Sequence, residues 1–136
     1  MRRPEFTIVA GANGTGKSSI GELYLYGIFK VTGYKTRLIF FGIENLEMCV
    51  SRVIQRSYTG GHHVSLDVIK FNFEEGIRRV NENLSLFDDI VFVDNSKEKG
   101  ESIIVALYSK SMNHKVIEES NCVWFQMYFK ASFDNL

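Results

Sequence analysis

Apolar residues recur along this chain with two periods, and the switches between them mark its elements. Phe6 to Ala10 is a short β-branched and aromatic run that ends in a glycine cluster, which predicts a buried strand. Ile20, Leu23, Tyr24, Gly27, Ile28 and Val31 then recur at helical spacing, and Gly33 sits where a left-handed cap stops the turn. A second strand is predicted over Arg37 to Phe41. Beyond it, Leu46, Cys49, Val50, Val53 and Ile54 form one apolar stripe, with Asn45, Glu47, Arg52 and Arg56 on other faces, as an amphipathic helix requires. Tyr58 to Val64 has no period and contains Gly60 and Gly61, so a mobile loop is expected there. Ser65 is a good N-cap for a helix whose inward residues are Ile69, Phe73, Ile77, Val80 and Leu84. Asp89 to Val93 reads as a third strand.

Strands that alternate with helices imply βαβ units, right-handed crossovers and a mainly parallel sheet. The C-terminal third breaks the alternation. Ile103 to Tyr108 and Lys115 to Glu118, joined by polar Lys110 to His114, predict a β-hairpin. Trp124, Phe125, Tyr128 and Phe129 fall on one helical face, which either docks a partner or a nucleotide base or packs a terminal helix into the core.

At 136 residues, with 45% hydrophobic and 24% charged content, the chain is the size of one domain over residues 1–136 and can fold without a disulfide or metal staple. Sixteen basic residues balance sixteen acidic ones, so no net field attracts a nucleic-acid backbone or an anionic membrane. Neither partner is expected. No apolar run nears the roughly 18 residues of a membrane span, and no targeting segment is evident. Cys49 and Cys122 lie far apart without metal-ligand spacing and read as free core thiols of a cytoplasmic protein.

The informative feature is Gly11-Ala12-Asn13-Gly14-Thr15-Gly16-Lys17-Ser18, which fits G-x-x-x-x-G-K-[ST] at every fixed position. From this chain's own residue frequencies, chance would supply such a match in roughly 0.7% of sequences of this length, before asking for the flanking strand and helix. Glycines let the backbone curl with its N–H groups turned inward around a β-phosphate, while the helix that follows offers the positive end of its dipole. Asn13, Gly14, Thr15, Gly16, Lys17, Ser18 and Ser19 are the nucleotide-binding candidates. Lys17 would bridge the β- and γ-phosphates, and the Ser18 hydroxyl would ligate Mg2+.

A magnesium-holding carboxylate is expected on a neighbouring strand tip, and Ile90-Val91-Phe92-Val93-Asp94 makes Asp94 the candidate. Arg52 and Arg56, four apart on one helix face, repel by about a few tenths of a kcal/mol, which an anion between them would relieve. With the Gly60-Gly61 loop beside them they suit a lid over the γ-phosphate; the other reading is a solvated face partly neutralised by Glu47 and Asp67. His62 and His63 point apart as adjacent residues and lack further ligands, so no metal is assigned to them.

Thr7 to Ser18, Gly33 to Phe41, Arg52 to Arg56, Gly60-Gly61-His62 and Asp94-Asn95-Ser96 together resemble the zeta-toxin family of P-loop kinases, in the family's order and over residues 5 to about 97. The resemblance implies phosphoryl transfer, dependent on ATP and Mg2+, to a sugar hydroxyl, typically on UDP-N-acetylglucosamine. It also raises an antitoxin protein as a partner. Two departures stand out. The family carries a segment with a base aspartate between the P-loop helix and the strand resembling Arg37 to Phe41, and this chain has no room for it. Where the family places several arginines, Val68-Ile69-Lys70-Phe71-Asn72 keeps only the Lys70 charge.

The expected fold is therefore an α/β, P-loop NTPase-like three-layer sandwich with a reduced, mainly parallel sheet, a C-terminal β-hairpin and a terminal helix. Its expected function is an ATP-binding kinase acting on a small-molecule acceptor such as a nucleotide sugar, with Lys17, Arg52 and Arg56 as catalytic residues and Ser18 and Asp94 at the metal. A nucleotide-binding module without transfer and a P-loop ATPase are the alternatives.

Overall fold

The computed structural model describes residues 2–11, 32–61, 63–97 and 101–136. Five strands form one mixed sheet in the order β1-β2-β3-β4-β5. They are β1 (Glu5–Gly11), β2 (Lys35–Gly42), β3 (Asp89–Asp94), β4 (Ile103–Ser109) and β5 (His114–Ile117). β1, β2 and β3 run parallel, β4 runs against β3, and β5 runs against β4, so only β4 opposes the common direction. The helices are α1 (Leu46–Tyr58), α2 (Leu66–Asn83) with a 3-10 turn at Leu84–Leu86, α3 (Val123–Tyr128) and α4 (Lys130–Asp134).

Register decides which side chains share a face. Ile8, Leu38, Ile90 and Tyr108 form one row across the sheet, and Ala10, Phe40, Phe92, Ala106 and Ile117 form the next. Against these rows pack Val80 of α2, Leu84, and Trp124, Phe125, Phe129 and Phe133 from the C-terminal helices. α1 is seated through a second cluster in which Cys49 and Ile43 meet Ile69 and Phe73 of α2. Every described helix thus belongs to one face of the sheet. On the other face Val9 is 59% exposed and Ile104 48%. α1 and α2, which join β2 to β3, cover that first face. Among the described residues the arrangement has two layers; the helix read over Ile20 to Val31 lies outside them.

Ser65 caps α2, its hydroxyl accepting from the Val68 amide at 3.4 Å, and Ile69, Phe73 and Val80 are buried along the predicted stripe. α1 runs on to Tyr58, which the sequence reading placed in the loop; the Gly61 amide folds back onto the Arg56 carbonyl at 2.9 Å and closes the helix end, with Gly60 at φ 100. The hairpin forms as expected. A bulge between Phe92 and Val93 leaves Val105 as an extra residue in β4, and its carbonyl accepts from Glu118 and Glu119.

The C-terminal aromatic face resolves to the core reading. Phe92 has its ring centroid 4.9 Å from Phe129, 5.1 Å from Phe125, 6.1 Å from Phe133 and 6.3 Å from Trp124. Of the predicted face, Trp124, Phe125 and Phe129 are buried, and half-buried Tyr128 turns its ring to Phe73 at 6.4 Å. A cavity of about 10 Å³ beside Gly42, Phe73, Trp124 and Tyr128 has room for about one water at most, not for a nucleobase. Phe129 also breaks the expected single helix in two. Both thiols are buried: burial raises Cys122 to about 11, and it raises Cys49 against the opposing pull of Arg52 and Arg56.

At the amino ends of the parallel strands, buried Asp89 lies 2.7 Å from Lys35 Nζ and 3.3 Å from Arg37 Nη2, and it accepts from the Ser109 hydroxyl at 2.7 Å. Burial pushes its carboxyl upward, but the bonds from Lys35, Ser109 and Arg37 together outweigh it and leave the value lowered. A lowered folded value stabilises the protein above the unfolded Asp value of about 3.9, and that contribution is lost as pH falls through the folded value. Asp89→Asn is therefore expected to lower the melting temperature at pH 7 and to flatten its decline below about pH 4. Parallel melting curves for the two proteins across that acid range would contradict this assignment.

Candidate functional site

The three parallel strands end together, β1 at Gly11, β2 at Gly42 and β3 at Asp94. Open α/β sheets bind ligands at such carboxyl ends. Gly11, the first glycine of the motif, has no room for a side chain, because a Cβ there would stand 2.6 Å from the Phe41 carbonyl oxygen. Close approach of β2 makes glycine obligatory at that point. Ala12 and the nucleotide candidates Asn13 to Ser19, Lys17 and Ser18 among them, lie outside the described residues, as does His62.

Asp94 does not stand on the strand beside β1. Gly11 opposes Phe41 and Gly42 opposes Asp94, so β2 lies between. Two strand spacings set the Asp94 backbone about 10 Å across the sheet from the Gly11 strand. The tip next to Gly11 is instead that of β2, where exposed Glu44 follows Ile43. The strands lie in the sheet in their order along the chain, so the expectation of the Asp94 strand as an immediate neighbour is corrected: β2 intervenes.

The surroundings of Asp94 are well defined. Its Oδ1 accepts from the Trp124 indole Nε1 at 2.9 Å, from the Ser96 hydroxyl at 2.6 Å and from the Ser96 amide at 3.2 Å. A buried indole N–H needs an acceptor, and Asp94 supplies it. Among the described residues Oδ2 accepts no hydrogen bond, which leaves one carboxylate oxygen for another ligand. No group of three or more His, Cys, Asp or Glu side chains placed to hold a metal occurs among the described residues. Mg2+ does not require such a cage, since it is commonly held by one or two carboxylates, waters and substrate phosphates. One half-buried carboxylate with an open oxygen fits that demand.

The two arginines of α1 differ sharply. Arg52 is half-buried, and its Nη2 donates to the carbonyls of Asn95 at 2.7 Å, Ser96 at 3.3 Å and Lys97 at 3.3 Å. Arg56 is exposed, with no side-chain partner among the described residues. Helical spacing places them on one face, as the sequence suggested, but only Arg52 reaches the turn after β3. The Asn95 amide donates to the Gly42 carbonyl at 2.8 Å, so that turn is also pinned to the end of β2.

No protein-family model, curated protein or solved structure matches the chain. The functional reading therefore rests on its residues. Two contacts had escaped the sequence reading: Trp124 to Asp94, across thirty positions, and Arg52 to the carbonyls of the β3 turn. The first had a signal, because a tryptophan on a core face must place its N–H somewhere. The second had none, since any residue type can offer a backbone carbonyl.

Proposed function

We propose that this chain is a P-loop domain that binds ATP with Mg2+ at the carboxyl ends of its parallel strands and, as a zeta-toxin-like kinase, passes the γ-phosphate to a hydroxyl of a small molecule such as a nucleotide sugar. One observation carries the reading. A parallel strand ends at Gly11, a position that tolerates no side chain, and the full G-x-x-x-x-G-K-S motif begins at that residue. Amides from Asn13 to Ser19 would hold the phosphates, Lys17 would bridge the β and γ groups, and Ser18 would meet the metal. When bound, Mg2+ screens the charge between the phosphate oxygens. Asp94, two strands from β1, would serve it through an intervening water. Arg56 would supply positive charge near the γ-phosphate, and the proposed layering is that of a P-loop NTPase.

A second reading is favoured by a specific observation: the domain binds nucleotide without transferring phosphate. Transfer to a hydroxyl needs an acceptor-positioning group within about 3 Å of that oxygen. Of the carboxylates at the strand ends, Asp94 has three hydrogen bonds on Oδ1 and only Oδ2 left, which the metal would take, and Glu44 is exposed.

ADP release separates the classes. The kinase reading expects ADP from ATP and Mg2+ only when an acceptor such as a UDP-sugar is added. ADP without acceptor makes the domain an ATPase, and stabilisation by ATP with no ADP under any acceptor makes it a binding module.

A further inference from the structure

We infer that Arg52 is a positioning residue that clamps the turn carrying Asp94, and that the two arginines of α1 have divided roles. The inference builds on the nucleotide reading of this site, but its first two readouts need no nucleotide.

The geometry begins at the turn. Asn95, Ser96 and Lys97 direct three successive carbonyls at one guanidinium nitrogen, at 2.7, 3.3 and 3.3 Å. Consecutive carbonyls repel when they converge, so the cation is what makes this backbone path favourable. On the other side of the same turn, Asp94 Oδ1 takes the Ser96 amide and hydroxyl and the Trp124 indole. The turn is thus held between α1 and α3, and the Asp94 carboxylate is oriented from both sides. With Nη2 committed to main-chain oxygens, Arg52 acts through the turn rather than on a phosphate. Arg56, one helical turn further along α1, remains exposed for an anion.

A lysine keeps the charge, but its side chain is one atom shorter, so its ammonium stops short of the point where Nη2 meets the three carbonyls. Arg52→Lys is therefore expected to speed exchange of the bonded Asn95 and Ser96 amides by about tenfold. It should also shift the emission of Trp124, the chain's one tryptophan. Arg56→Lys should change neither. In the wild-type chain, which needs no variant to fold, Arg52 guanidinium protons should exchange more slowly with water than those of Arg56. Unaltered exchange and emission in Arg52→Lys, faster exchange across all of β2 and β3, or equal exchange of the two guanidinium groups would each overturn the clamp. With ATP present, Arg52→Lys should raise the Mg2+ concentration for half-maximal stabilisation several-fold, and Asp94→Asn should do the same. An Mg2+ requirement equal to wild type would reduce Arg52 to a fold residue and overturn the positioning role. Failure of the wild type itself to bind ATP would remove the nucleotide reading while the exchange and emission results still judged the clamp, so the two failures are distinguishable.

Discussion

Gly42→Ala is expected to destabilise the domain by about 3 kcal/mol or more, although it adds only one methyl group. A Cβ at that position would stand 2.3 Å from Trp124 Cε2 and Cζ2, where no real Cβ contact is found. Relief would require the indole to move, and it is hemmed in by Phe40 at 5.7 Å, Phe129 at 6.1 Å and Phe92 and Phe125 at 6.3 Å. Displacing it would also break its bond to Asp94, leaving a buried N–H without its acceptor, a loss of about 1–3 kcal/mol by itself. Chemical denaturation followed by Trp124 fluorescence measures both effects, because the same ring reports folding and local contact. A stability within about 0.5 kcal/mol of wild type would mean that the indole does not lie against Gly42. Gly76 is a fitting control, as a Cβ added there meets nothing within 4 Å.

The same region shows what the sequence reveals and what it conceals. β2 and β3 were legible because their apolar runs are short and bounded by turns, and α2 because its apolar residues repeat at helical spacing and three of them, Ile69, Phe73 and Val80, end in the core. Pairing order was not legible. Nothing in Ile90 to Asp94 says that β3 pairs with β2 rather than β1, since buried parallel strands are apolar on both sides and register is a tertiary property. The aromatic run at Trp124 to Phe129 was readable as a packing face, but not its division at Phe129, where the backbone leaves helical values at φ −123. For the site, residue types at strand ends were informative, and contacts between a side chain and a distant backbone were not.

Lys17→Ala is expected to remove nearly all stabilisation by ATP. In a P-loop the lysine reaches the β- and γ-phosphates as a charged donor, and deleting such a contact is worth about 2.7 kcal/mol, or about a hundredfold in affinity. At ATP one hundred times its dissociation constant, binding stabilises a fold by about 2.7 kcal/mol. For a domain of this size that is a rise of roughly 10 °C in melting temperature. The variant at the same ATP would gain only about 0.4 kcal/mol, or under about 2 °C. Because the substitution removes charge from a site built for anions, the nucleotide-free variant should melt near the wild type. The most direct measurement is this pair of melting curves, wild type and Lys17→Ala, each with and without ATP and Mg2+. A large ATP-dependent rise in the wild type that disappears in the variant is the predicted result; no rise in the wild type, or the same rise in both, would contradict a phosphate cradle at Gly11 to Ser18.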